Sequence, residues 1–141
     1  MSEPIANAWV WQVRVYWEDT DAGGVVYHSQ YLNFFERART EWLRAKGIHQ
    51  GRLAEEAGVV FAIRRMGIDW LAPARLDDLL DVTVHSVRAG SARLEFRQDM
   101  FRHGDGQLLA SATVTAACLD ARAFKPIKMP DSIRSEINDV E

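Results

Sequence analysis

The odd positions from 9 to 17 carry Trp9, Trp11, Val13, Val15 and Trp17, with Gln12, Arg14 and Tyr16 between them. A period of two predicts a strand with one buried face. If the alternation continues, Asp19 and Asp21 leave the strand on the apolar side, out of bulk water. The period then changes. Tyr31, Phe34, Phe35, Ala38, Trp42 and Ala45 recur three and four positions apart, and Leu32 and Leu43 widen the stripe. This predicts an amphipathic helix over residues 30–46, with Gly47 as the residue that ends it. So wide and aromatic a face needs to be wrapped by another layer. A short helix is predicted over residues 53–57.

The remainder returns to a period of two. Val59, Phe61 and Ile63 share one phase and Met66, Ile68 and Trp70 the other, so a bulge is predicted at Arg64–Arg65. Leu80, Val82 and Val84 form one face of the next strand. A turn at Ala89-Gly90-Ser91 leads to Leu94, Phe96, Gln98 and Met100, opposite Arg93, Glu95, Arg97 and Asp99. After a turn at His103-Gly104-Asp105-Gly106, the small residues Ala110, Ala112, Val114, Ala116 and Cys118 line a face that a helix can approach closely. A short terminal helix is predicted over residues 131–138. The order is strand, long helix, then four strands joined partly by hairpins. That predicts an α+β fold with a largely antiparallel sheet whose apolar face is covered by the long helix.

Composition narrows the picture. At 141 residues the chain reads as a single domain, 1–141, with one core. A net charge of −3 with 26% charged residues offers no basic excess for nucleic acid and no polybasic membrane anchor. The lone Cys118 allows no internal disulfide and no Cys-rich zinc pattern. Residues 1–8 have neither a basic start nor an apolar run, so no secretory signal is expected, and no segment reaches the ~20 apolar residues of a membrane span. A cytoplasmic location is expected.

The candidate chemistry lies between the first strand and the long helix, in Glu18-Asp19-Thr20-Asp21-Ala22-Gly23-Gly24-Val25-Val26-Tyr27-His28. A carboxylate at a helix N-terminus sits beside unpaired backbone N–H groups and the positive end of the macrodipole, which favour anionic oxygen. One loop can therefore hold an ionised attacking group and polarise a carbonyl, the combination that acyl transfer needs. Gly23 and Gly24 allow positive φ and close approach of backbone to ligand. Asp and Gly are also common in ordinary turns, so a lone Asp-x-Asp-x-Gly would carry little.

The longer match carries more. Arg14-Val15-Tyr16, the block from Glu18 to His28, Tyr31, Glu36-Arg37-Ala38-Arg39-Thr40-Glu41 and Ala72-Pro73-Ala74-Arg75-Leu76-Asp77-Asp78 after Trp70 resemble the hotdog-fold thioesterases of the 4-hydroxybenzoyl-CoA thioesterase type. Within them the chain is most similar to the Tol-Pal-associated (YbgC) branch. The resemblance implies a five-stranded antiparallel sheet wrapped around a long central helix, assembled as a homodimer or homotetramer. It implies an acyl-CoA thioesterase that uses no metal or other cofactor. Asp21 would be catalytic, attacking the thioester carbonyl or activating a water. The His28 N–H would hold the oxyanion, and the His28 imidazole could orient substrate or protonate the departing thiolate. Asp19 reads as a supporting acid, and Trp17 and Tyr27 as walls of the acyl pocket.

Arg88 and Arg93 are candidates for coenzyme A phosphates, and Arg64, Arg65 or Arg88 for the acidic surface of acyl carrier protein as an alternative carrier. Glu36, Arg37, Arg39 and Glu41 read as helix-surface or inter-subunit ion pairs, and Cys118 as an inert packing residue. The chain has no Gly-x-Ser-x-Gly elbow, no phosphate-binding Gly-x-x-x-x-Gly-Lys loop and no His-Glu-x-x-His helix. Two other readings stay open: a 3-hydroxyacyl-thioester dehydratase on the same fold, and a non-catalytic acyl-thioester binding module.

Overall fold

The computed structural model describes residues 9–138; the leaderless start expected over residues 1–8 lies outside them. Strand β1 (Trp9–Arg14) alternates inward and outward as its sequence predicts. The alternation stops earlier than expected, because a one-turn 3₁₀ helix, Trp17–Asp19, follows the strand. Helix α1 (Gln30–Ala45) comes next, and its last turn closes with Gly47 at φ +85°. Helix α2 (Gln50–Ala57) ends at Gly58, also at positive φ. Strand β2 (Val59–Trp70) runs through the predicted phase slip, and its register with β6 shifts between Ile63 and Arg65.

The next apolar run divides in two. Strand β3 (Leu79–Val84) gives way at His85, whose amide donates to the Arg97 carbonyl at 3.1 Å, and β4 (Ser86–Ala89) continues in a new direction. Strands β5 (Arg93–Arg102) and β6 (Leu108–Asp120) form the long central hairpin, and α3 (Asp131–Asn138) closes the described chain. The sheet order is β1-β3-β5-β6-β2, with β4 beside β5 and every pairing antiparallel. The extra strand relative to the five expected is the short β4.

One face of this sheet buries Leu80, Val82, Leu94, Phe96, Met100, Ala110, Ala112, Val114, Ala116 and Cys118. Against it lie Tyr31, Phe34, Phe35, Ala38, Trp42 and Leu43 of α1. The rings of Phe34 and Phe35 are both fully buried in this shared core. Two positions depart from the predicted stripe. Ala45 is exposed, because the helix runs out over the edge of the core in its last turn. Arg39, expected on the surface, is buried at 7% exposure, since Gln98 supplies a polar partner inside.

Cys118 is buried and unpaired by disulfide, and burial pushes its thiol pKa up. The expected result is no reaction with an aromatic disulfide reagent in the folded protein and one equivalent after denaturation. Rapid labelling of folded protein would contradict the packing at β6.

Candidate active site

The loop between β1 and α1 is held in place by Asp19. Its carboxylate is 6% exposed and accepts from the Tyr16 amide at 2.9 Å and from Gln30 Nε2 at 2.8 Å, so it ties the end of β1 to the first residue of α1. Its carbonyl accepts from the Tyr27 amide at 2.9 Å. Within that frame Thr20 and Val26 pair as an isolated bridge and the Asp21 amide donates to the Val25 carbonyl at 2.9 Å. Residues 21–24 form the tip. Gly24 adopts φ +82°, a region that an L side chain rarely enters, and its amide closes the turn on the Asp21 carbonyl at 3.0 Å.

An Asp19→Ala variant removes both buried acceptors and leaves the Tyr16 and Gln30 donors without them. The expected loss is about 1–3 kcal/mol of folding stability, read by urea denaturation. An unchanged midpoint would mean that water replaces the carboxylate at no cost.

Asp21 does not share this burial. The 3₁₀ turn takes up the odd–even phase after Arg14, so Asp19 turns inward and Asp21 stands at the exposed tip. The expectation of partial burial fails for the single chain. The side chain is nonetheless oriented: Oδ1 accepts from the Gly23 amide at 2.8 Å, which leaves Oδ2 without a protein donor among the described residues. Trp17 is corrected by the same turn. It is 78% exposed and does not continue the inward face of β1.

Helix α1 begins without a side-chain cap. Ser29, at the cap position, makes no capping hydrogen bond, and the first turn contains no acid. The amide of His28 donates to no acceptor among the described residues. Positive potential at the helix entrance is thus neutralised by no nearby side chain of the first turn. The His28 carbonyl accepts from Trp70 Nε1 at 3.2 Å. The imidazole lies 4.5 Å from the Tyr27 ring, centre to centre, and meets the Trp70 ring edge-on at 6.1 Å. Tyr16, Trp17, Tyr27, Trp70 and Leu71 together expose large apolar surface in this part of the molecule. In the sequence Trp70 stood out as an apolar strand residue and as the residue preceding the Ala72–Asp78 match, with no role at the site. No spacing rule linked it to His28, 42 positions earlier.

A second layer steadies the loop. The Val26 amide donates to the Ala74 carbonyl at 2.8 Å, and the Ala74 amide donates to the Tyr31 hydroxyl at 2.9 Å. Burial raises the Tyr31 pKa, keeping the hydroxyl neutral. Arg102 fastens the same segment from β5, with Nε on Asp78 Oδ2 at 3.1 Å and Nη2 on the Pro73 carbonyl at 2.9 Å.

Arg88 is not brought to this corner within one chain. It pairs with Glu95, which pairs with Thr115, five positions along β6 from Ala110, the partner of Trp70. At ~3.4 Å per residue that is roughly 17 Å along the strand. Arg88 and Arg93 instead line a groove with Glu95 and Arg134, and Arg93 also lines a smaller one with Arg64 and Arg65. No cluster of His, Cys, Asp and Glu among the described residues could hold a metal ion.

The chain is 43% identical over 129 residues to the acyl-CoA thioesterase YbgC of Haemophilus influenzae, covering 92% of this chain and 93% of that one. It is 44% identical over 126 residues to the acyl-CoA thioester hydrolase YbgC of Escherichia coli, covering 89% and 92%. Among solved structures, a probable thioesterase from Bartonella henselae superposes with a TM-score of 0.79 at 36% identity, over 87% of this chain and 99% of that one. A 1,4-dihydroxy-2-naphthoyl-CoA thioesterase from Synechocystis gives a TM-score of 0.86 at 25% identity, over 95% and 98%. The profile of the thioesterase-like superfamily matches residues 15–137, and the chain, an antiparallel sheet curled around a long helix, belongs to that hotdog family.

Proposed function

We propose that this protein hydrolyses acyl-CoA thioesters to a free carboxylic acid and coenzyme A, with Asp21 as the catalytic carboxylate. The observation that carries the reading is the uncapped entrance of α1, with its unpartnered His28 amide, next to a loop that presents a free Asp21 oxygen. The activity printed for the Haemophilus influenzae and Escherichia coli relatives supports it.

Two routes use the same parts. In the first, an Asp21 oxygen bonds to the thioester carbon, the carbonyl oxygen takes up the negative charge, and collapse expels the thiolate to leave a mixed anhydride that water opens. In the second, Asp21 takes a proton from a water whose oxygen attacks the same carbon. In both, the His28 N–H donates to the oxyanion; removing one such donor typically costs about 2.7–4 kcal/mol of barrier. A thiolate is a stable leaving group, with a reference thiol pKa of about 8.5, so the reaction demands little of a general acid. The His28 imidazole then orients substrate or returns a proton, and Trp17 and Tyr27 wall the acyl group beside Gly24.

The site is completed by a second copy. Strand β2 pairs with β6 on one side only, and a strand of 12 residues with an unpaired edge is a ready template for another chain. Antiparallel pairing of two β2 edges reverses the strand direction. Arg88, level with Arg65 near the middle of β2, is then the candidate for coenzyme A phosphates bound at the seam. The assembly is a homodimer or a pair of dimers, and acyl carrier protein is the alternative carrier for the same acyl groups. Among the described residues no helix is long and apolar enough to cross a membrane, and a cytoplasmic setting suits a coenzyme A substrate.

A dehydratase reading draws less support. It expects a His–acid pair across the subunit interface; within the single chain His28 packs on aromatic rings, and the His–acid contacts among the described residues are His85–Asp99 at 3.1 Å and His103–Asp81 at 2.9 Å, so an enoyl thioester absorbance is the result that would favour it. The test is a panel of acyl-CoA esters and acyl carrier protein conjugates compared by kcat/KM, with sedimentation of the same protein. Thiol release by a dimer or tetramer is expected. A catalytically competent monomer would remove the shared site.

A further inference from the structure

The turn between β4 and β5, together with α3, encloses a groove of about 530 Å³, on the β5 side of the sheet and not on the open β2 edge. Three arginines line it: Arg88 from β4, Arg93 from β5 and Arg134 from α3. One carboxylate, Glu95, joins them, so two positive charges stay uncompensated. Glu95 faces Arg88 in the strand register. Even so, no carboxylate among the described residues comes within the 4.0 Å of an ion pair with any of the three. Like charges gathered in one groove repel one another until an anion enters it. Arg134 is held there by the way α3 docks. Ile137 is fully buried, and Asn138 brackets Ala89, accepting from its amide at 3.0 Å and donating Nδ2 to its carbonyl at 2.9 Å. Arg134 Nε donates to the same carbonyl at 3.3 Å, which anchors the guanidinium at the rim and leaves its two Nη groups facing a ligand. No spacing rule joins Arg134 to Ala89, 45 positions earlier.

We propose that this groove binds the phosphate groups of a nucleotide, with Arg134 of α3 completing a three-arginine clamp that the β4–β5 turn alone does not make. A guanidinium fork grips phosphate oxygens in pairs, and three forks around one cavity suit a ligand with more than one phosphate. The groove is bounded, and its volume lies within the roughly 300–1,000 Å³ of small-molecule sites, so the polyanion is a small molecule rather than a polymer. Two sources supply this chemistry: the nucleotide of the coenzyme A that carries the acyl group, or a free nucleotide. The first rests on the thioesterase reading and makes Arg134 the residue that separates coenzyme A from acyl carrier protein, whose pantetheine arm carries no nucleotide. The site itself does not rest on that reading.

The test has a binding arm and a kinetic arm, both on the full chain. Calorimetric titration with adenosine 3′,5′-bisphosphate should saturate, with uncharged adenosine about tenfold weaker or worse, and the affinity should fall as salt rises. Arg134→Gln should weaken the bisphosphate about fivefold or more. Arg52→Gln, the same charge change on the exposed face of α2, should leave it within about twofold, which separates the groove from the general field of the protein. Glu95→Gln should tighten it a few-fold by removing like charge. If Arg134→Gln does not fold, the Glu95→Gln shift and the bisphosphate–adenosine difference decide. In the kinetic arm, a KM for acyl-CoA that rises in Arg134→Gln, with kcat and the KM for acyl-pantetheine unchanged, identifies the carrier's nucleotide. An unchanged KM with the bisphosphate bound identifies a free nucleotide. Bisphosphate and adenosine binding alike, or Arg134→Gln costing no more than Arg52→Gln, overturns the proposal. Bisphosphate failing to bind while thiol release proceeds overturns this site and leaves the catalytic reading in place.

Discussion

Replacing Asp21 by asparagine is expected to lower kcat/KM for acyl-CoA hydrolysis by about 10²- to 10⁴-fold, the range for losing a positioned acid–base or nucleophilic group. The substitution is nearly isosteric. Asparagine retains a carbonyl oxygen to accept from the Gly23 amide, the contact that Asp21 Oδ1 makes at 2.8 Å, so the turn has no reason to change. What is lost is negative charge and basicity at the helix entrance. The thermal midpoint and the sedimentation coefficient should therefore match wild type. Near-wild-type turnover by that variant would assign the chemistry to another group, with Asp19 the obvious competitor. The structure argues against Asp19 on chemical grounds: both of its carboxylate oxygens are already engaged, by the Tyr16 amide and by Gln30.

The largest stability effect is expected at Phe35. Its ring is fully buried in the layer between α1 and the sheet, and its carbonyl accepts from Gln98 Nε2 at 3.1 Å. Phe35→Ala removes a whole ring from a close-packed core and leaves a cavity beside the polar pair of Gln98 and Arg39. Such truncations cost about 3–5 kcal/mol. Against a typical total of about 5–15 kcal/mol, that is enough to leave a marginal protein. Urea denaturation should show the midpoint fall with an unchanged slope. A loss below about 1 kcal/mol would mean that the helix settles onto the β6 alanines and refills the space.

What could be read in the sequence was what local periodicity encodes. The wide stripe from Tyr31 to Leu43 defined the central helix, and the alanines of β6 defined a face it could approach. The phase slip at Arg64–Arg65 appeared in the structure as the register shift beside Ile63. What could not be read depended on partners distant in sequence. The inward turn of Arg39 requires Gln98, 59 positions later, and no helical spacing rule contains that information. The 3₁₀ turn that exposes Trp17 and Asp21 is stabilised by Asp19 reaching Gln30, 11 positions on, which makes it an effect of the loop on the strand. The break at His85 depends on its amide finding Arg97 across the sheet. The separation of Arg88 from Asp21 follows from strand register, which hydrophobic alternation does not specify along the strand.

These misses share one consequence for the site. The sequence groups the acid, the glycines, His28 and the arginines, but in a single chain the Arg88 hairpin lies apart from the loop that carries Asp21 and His28, and it is His28 that meets Trp70. The exposed aromatic surface around that corner and the open edge of β2 are what a second protomer would cover. Function on this account belongs to the assembly, and its rate should fall on dilution if the protomers separate.

The most direct measurement is product analysis with an acyl-CoA as sole substrate, following free thiol and free acid together. Cys118 is buried and contributes no background to the thiol reading while the protein stays folded. The account predicts thiol and acid in equal amounts, many turnovers per protomer, with no metal or redox cofactor added. Bound acyl-CoA with no thiol released, or an enoyl thioester absorbance in place of thiol, would contradict it.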